Sequence, residues 1–198
     1  MGQSAALEAL RARIRALEGG PRIERRRHPS GVEAIDRLLG GLPVPGVVEV
    51  CGADGAGRAT VALDLAAAIT TAHHLVAWVD PLGRFHPPAA AARGVALERL
   101  MIVRPVHDGT SPWAWTTEQI LRSGCFPLVV TDLPPRTGSR RVLSHGWARA
   151  AEHGRCTALV LSQRTTRELP ADVRLSIGDR TLTVLRDRGG LNVVGLAS

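Results

Sequence analysis

The segment Val48-Glu-Val-Cys-Gly-Ala-Asp-Gly-Ala-Gly-Arg-Ala-Thr60 leaves few ways to fold. The apolar run Val47 to Cys51 is of strand length, and Gly52, Gly55 and Gly57 then turn the chain into a helical run from Thr60 to Thr70. A strand entering a glycine turn that opens a helix is the frame of the phosphate-binding loop G-x-x-x-x-G-K-[ST]. In that loop backbone amides cradle phosphates, the lysine reaches the β/γ-phosphates and the hydroxyl holds Mg²⁺. Here Arg58 holds the lysine position and Ala59 the hydroxyl position. Arginine still carries the charge, but its planar fork is bulkier than an ammonium and its donors lie in a fixed plane. Alanine has no oxygen to offer a metal ion, and Thr60, one residue late, is turned about 100° away on a helix. The frame is that of a phosphate cradle. The catalytic side chains are gone.

The apolar runs further along have the same logic. Leu75 to Asp80, Leu100 to Arg104, Leu128 to Asp132 and Thr157 to Ser162 are apolar enough to be strands buried on both faces, and helical patterns lie between them at Trp113 to Arg122 and Arg140 to His153. Strand and helix in alternation imply a parallel sheet with right-handed crossovers. After Val173 the pattern changes to short runs, Val173 to Ile177, Thr181 to Leu185 and Asn192 to Leu196, which suggests an antiparallel extension. The expected fold is thus α/β, a mostly parallel sheet flanked by helices. Before it, residues 4–18 predict an amphipathic helix whose stripe is Leu7, Leu10, Ile14 and Leu17, capped by Ser4 and stopped at Gly19-Gly20-Pro21. This divides the chain into an N-terminal helix with a basic connector (1–28) and a core domain (29–198).

The 198 residues are enough for one substantial core. No apolar run approaches the ~20 residues of a membrane span, and the N-terminus has no charged-then-apolar leader, so a cytoplasmic protein with no membrane partner is expected. Cys51, Cys125 and Cys156 are odd in number and lack metal-ligand spacing, so reduced thiols and no metal site are expected. All 25 basic residues are arginine, against 18 acids. From Leu128 onward 11 arginines face 6 acids, a surplus that suits an anionic partner such as nucleic acid or an acidic protein.

Several blocks together resemble the RecA family. Ser30-Gly-Val-Glu-Ala-Ile-Asp-Arg-Leu-Leu-Gly-Gly-Leu-Pro43 and Gly46-Val-Val-Glu-Val are similar to the lead-in of the RecA core, and the altered loop follows. Trp78 to Pro88, Arg93-Gly-Val and Leu100 to Pro105 resemble the RecA segment after its second strand. The resemblance makes Asp132 the end of a Walker B-like strand and Gln163 the counterpart of a nucleotide-sensing glutamine. It also exposes departures. Leu82 stands where a glutamate activates the attacking water, and Ser162 replaces the asparagine that usually precedes the glutamine. Only Arg164 to Pro170 fills the place of the second DNA-binding loop, and the segment after Asp132 is short for the first.

Within the superfamily, Trp115-Thr-Thr-Glu-Gln-Ile-Leu-Arg-Ser-Gly124, Arg164-Thr-Thr-Arg-Glu-Leu-Pro170 and Arg188-Gly-Gly190 resemble segments of the ImuA family, accessory proteins of damage-induced mutagenesis. The departures at Arg58, Ala59 and Leu82 lead to the expectation of a non-hydrolysing scaffold without a cofactor. The resemblance implies as its partners RecA, an ImuB-type polymerase homologue and an error-prone C-family DNA polymerase. Gly52, Gly55, Gly57, Arg58, Ala59 and Thr60 would form a vestigial nucleotide loop, and the Leu7, Leu10, Ile14 and Leu17 stripe either a partner-docking face or a face packed on this domain's own sheet or helices. Two alternatives stay open: a weak DNA-dependent ATPase, and a module that binds DNA nonspecifically through Arg136, Arg140, Arg141, Arg164 and Arg167. Among the other residues, Asp80 and Asp132 are expected to bond loop backbone, His73-His74 to lie exposed, and Trp113 and Trp115 to divide between core and surface.

Overall fold

The computed structural model describes residues 26–105, 112–134, 146–166, 168–179 and 181–188. The strands are β1 (Arg26–His28), β2 (Leu42–Val44), β3 (Gly46–Cys51), β4 (Val76–Val79), β5 (Leu100–Val103), β6 (Leu128–Asp132), β7 (Thr157–Ser162), β8 (Val173–Gly178) and β9 (Thr181–Asp187). The helices are α1 (Glu33–Leu39), α2 (Arg58–Thr71), α3 (Pro87–Ala92), α4 (Pro112–Arg122) and α5 (Gly146–Gly154). Seven strands form one sheet in the order β5-β4-β6-β7-β3-β8-β9. Every neighbouring pair is parallel except β8 and β9, which form an antiparallel hairpin. The expected architecture, a mostly parallel sheet with an antiparallel end, is the one observed.

The alternation of strand side chains explains the layers. Val48, Val50, Val76, Trp78, Leu128, Val130, Leu159 and Leu161 point to one face, where Ile35 and Leu39 of α1 and Ala62, Leu65 and Ala66 of α2 cover them. Val47, Ala77, Val79, Val129, Ala158 and Val160 point to the other, under Trp113 and Leu121 of α4 and Trp147 and Ala150 of α5. With helices on both faces, the central strands carry mainly apolar side chains on both sides rather than alternating. Trp113 and Trp147 meet edge to face with ring centres 5.8 Å apart, and the Trp147 indole N–H donates to the Ala114 carbonyl at 3.1 Å. Trp115 is 66% exposed, so the two tryptophans divide as expected.

Two expectations fail in this part of the molecule. β5 is not buried on both faces: it is the sheet margin, and Met101 and Ile102 are 38% and 37% exposed. A strand with one neighbour has only half the cover that its hydrophobicity suggests. The small β1–β2 antiparallel ribbon was not foreseen, because three-residue strands containing Arg26, Arg27 and Pro43 give no periodic signal. The N-terminal helix with Leu7, Leu10, Ile14 and Leu17, the run Asn192 to Leu196, and Arg136, Arg140, Arg141 and Arg167 lie outside the described residues.

Candidate functional site

β3 lies between β7 and β8, so the glycine turn that follows it opens at the C-terminal end of the sheet, in the crevice where α/β folds place ligands. Gly52 passes close to β8: a Cβ there would lie 2.5 Å from the Ile177 carbonyl oxygen, so no larger residue fits. Gly57 has φ 108°, a conformation open to glycine, and it hands the chain to α2. The helix begins at Arg58, two residues earlier than its apolar pattern predicted. No side chain caps this start, which leaves first-turn amides open to an anion.

A cavity of about 210 Å³ sits above the turn, lined by Gly55, Gly57, Arg58, Ala59, Thr60, Asp132 and Leu161. A smaller one of about 140 Å³ adjoins it through Ala59, Asp132 and Leu161, and reaches Trp78, Asp80, Arg84, Phe85 and His86. The fold therefore brings the loop residues and Asp132 together around one space. Ala59 and Thr60 are exposed beside it, without a positioned oxygen at the place of the missing hydroxyl. Leu82 sits half-buried in the turn after β4 and brings no carboxylate. Among the described residues no group of three or more His, Cys, Asp or Glu could hold a metal ion.

The side chain of Arg58 does not project into water; it is only 9% exposed. Its Nη2 donates to Asp54 Oδ1 at 2.5 Å, while its Nη1 is buried with no hydrogen-bond partner. Asp54 Oδ2 accepts from Gln163 Nε2 at 2.9 Å, and Arg84 Nη1 stands 3.6 Å from Oδ1. The sensor-like glutamine thus reaches the loop through Asp54. Sequence reasoning passed over Asp54 and Arg84. The acid four residues before Arg58 was the one legible signal for that pair.

The two strand-end aspartates differ. Asp80 is buried and accepts from the Arg84 and Phe85 amides at 2.8 and 3.1 Å and from Arg104 Nε at 3.0 Å, so it braces the turn as expected. Among the described residues no backbone amide donates to Asp132, so the backbone bonding expected of it is not seen there. Burial pushes its carboxyl above the usual range, opposed by the Arg58 and Arg84 charges and reinforced by Asp80 and Asp54.

Past β7 the chain is held down. Fully buried Glu49 on β3 accepts from Ser162 Oγ and the Thr166 amide, both at 2.8 Å, and from Arg174 Nε on β8. Arg174 Nη2 in turn donates to the Thr166 and Leu169 carbonyls at 2.7 and 3.1 Å. Arg164 lies exposed on this short loop, while His73 and His74 are exposed at the end of α2. No described helix is long and apolar enough to cross a membrane.

A mostly parallel sheet with a glycine-rich turn on the interior strand β3, an acid at the end of β6 and a glutamine after β7 defines a RecA-like architecture. Residues 14–137 match the RecA N-terminal domain family, and the chain belongs to it. It is 32% identical over 105 residues to the RecA protein of Picosynechococcus sp., 34% over 106 residues to RecA 1 of Myxococcus xanthus, and 35% over 104 residues to RecA of Nostoc punctiforme. Each match covers 52% of this chain but only 30%, 30% and 28% of the relative, so the shared part is less than a third of those proteins.

Proposed function

We propose that this chain is a non-hydrolysing RecA-like accessory protein of the DNA-damage response, of the ImuA type. In this reading it regulates RecA or assembles a translesion complex with an ImuB-type polymerase homologue and an error-prone C-family polymerase. It acts by binding proteins, with nonspecific DNA as a further contact through its arginines. The observation that carries the reading is the state of the loop: Arg58 is turned onto Asp54, Ala59 offers no metal ligand, and Leu82 no base. Phosphoryl transfer is mostly positioning and electrostatics, and losing one such group costs roughly 10²-fold or more in rate. Retaining the cradle without these groups suits a surface kept for its shape.

The test has two parts. ATP turnover with single-stranded DNA should be at background, and Arg58→Lys with Ala59→Thr should not raise it, because Leu82 remains. Tagged protein should retain RecA or the ImuB-type homologue at equal yield with and without ATP. Turnover comparable to RecA that disappears on Asp132→Asn overturns the reading. Failure to retain either protein overturns its partner assignment.

A further inference from the structure

We propose that Asp54 is a built-in counter-anion that latches Arg58 and Gln163 to the loop, so that a polyphosphate can engage Arg58 fully only by displacing it. The proposal rests on the reading of this loop as a phosphate cradle that has lost its catalytic oxygens.

Asp54 belongs to the loop, yet its two oxygens engage three other segments. Oδ1 takes Arg58 at the start of α2 and stands near Arg84 from the β4–α3 turn; Oδ2 takes Gln163 from the β7–β8 loop. The cation at the helix start and the glutamine after β7 are the groups that an anion seated in this cavity would draw on. An acid of the chain holds both already. The match is incomplete in an informative way: Nη1 of the same guanidinium is buried without an acceptor, and Arg58 itself lines the roughly 210 Å³ cavity at an uncapped helix start. Buried donors are nearly always paired, so this atom marks an acceptor position that Asp54 does not fill.

A phosphate chain at the start of α2 would compete with the Asp54 carboxylate for the Arg58 guanidinium and repel it as like charge. Full engagement of Arg58 therefore requires Asp54 to swing out, which frees Gln163 and Arg84 together. The β7–β8 loop beyond them stays fixed, because the Thr166 amide is tied to Glu49 and the Thr166 carbonyl to Arg174. Movement is confined to residues 163–165 and the loop itself. Asp54 is 57% exposed, so water is ready to receive it.

The test uses the full chain with sodium tripolyphosphate as the probe, without Mg²⁺, followed by calorimetric titration and thermal shift. Asp54→Asn should bind at least about tenfold more tightly than wild type, a size typical of coupled sites. Asp64→Asn makes the same charge change on α2, where Asp64 pairs with Arg93, and should leave binding at the wild-type level. Adding Arg58→Ala to Asp54→Asn should abolish the gain. Asp54→Ala is run in parallel, so that a folding defect in one variant does not decide the outcome. Equal binding by wild type and the Asp54 variants, no gain in either, or the same gain from Asp64→Asn overturns the latch. These results leave the scaffold reading untouched, whereas ATP turnover by the wild type would overturn that reading and not the latch.

Discussion

Glu49 on β3 and Arg174 on β8 are direct register partners on adjacent parallel strands, and their side chains form an ion pair at the edge of the core. Glu49 is fully buried and Arg174 nearly so; Glu49 also accepts from Ser162 at the end of β7 and from the Thr166 amide, and Arg174 Nη2 donates to the Thr166 and Leu169 carbonyls of the β7–β8 loop. The pair clamps the short loop onto the sheet.

Removing one partner leaves a buried charge without its complement. Arg174→Met and Glu49→Leu are each expected to cost about 3 kcal/mol, and the two together less than either alone. Urea unfolding midpoints measure this. Wild-type midpoints in both single variants would show that the clamp contributes nothing.

Asp132 predicts a pH dependence with a defined sign. Its folded-state pKa is raised above the unfolded value near 3.8, so the native chain holds a proton that the unfolded chain releases. Stability from this group is present below the unfolded pKa and is lost as pH rises through the folded one. Asp132→Asn should therefore melt higher than wild type at pH 7, and the difference should shrink as pH falls towards 4. Melting curves across that range give the answer; a constant or reversed difference contradicts it.

The three thiols should separate by reactivity. Burial pushes Cys156 up to about 12 and raises Cys51, first through burial and then through the Glu49 charge, whereas Cys125 is exposed. Thiolate is the nucleophile, so a disulfide reagent at pH 8 should modify one thiol quickly in the native chain and all three only after denaturation. Mass mapping of the fast adduct to Cys156 or Cys51 would contradict this assignment.

Gly154 sets how closely α4 and α5 approach. A Cβ at that position would lie 1.9 Å from the Leu121 carbonyl oxygen, which is backbone and cannot swing aside. Gly154→Ala should cost about 2 kcal/mol through forced separation of the helices. A midpoint equal to that of wild type in chemical denaturation would mean that the helices part freely.

What the sequence disclosed follows from the range of the physics involved. The central strands were legible because burial on both faces gives them unbroken apolar runs, as in Leu128-Val-Val130 and Ala158-Leu-Val-Leu161. The same rule misjudged β5, since hydrophobicity does not say which strand is outermost. The glycine turn was legible from backbone needs alone. The Asp54–Gln163 bond spans 109 positions and Glu49–Arg174 spans 125, and no local pattern encodes which distant side chain answers which. A lone glutamate inside Val47-Val-Glu-Val-Cys51 and a lone arginine inside Val173-Arg-Leu175 each announced a missing complement, without saying that they were each other's.

The two margins of the sheet are built differently among the described residues. At one end β9 folds back on β8, and Asp187 is tied to Arg27 beside the small ribbon. At the other, β5 is paired only with β4 among the described residues, with Met101 and Ile102 turned partly to water. The unpaired backbone groups of such a margin are a template for another strand, so self-association of the chain at high concentration is expected to run through β5.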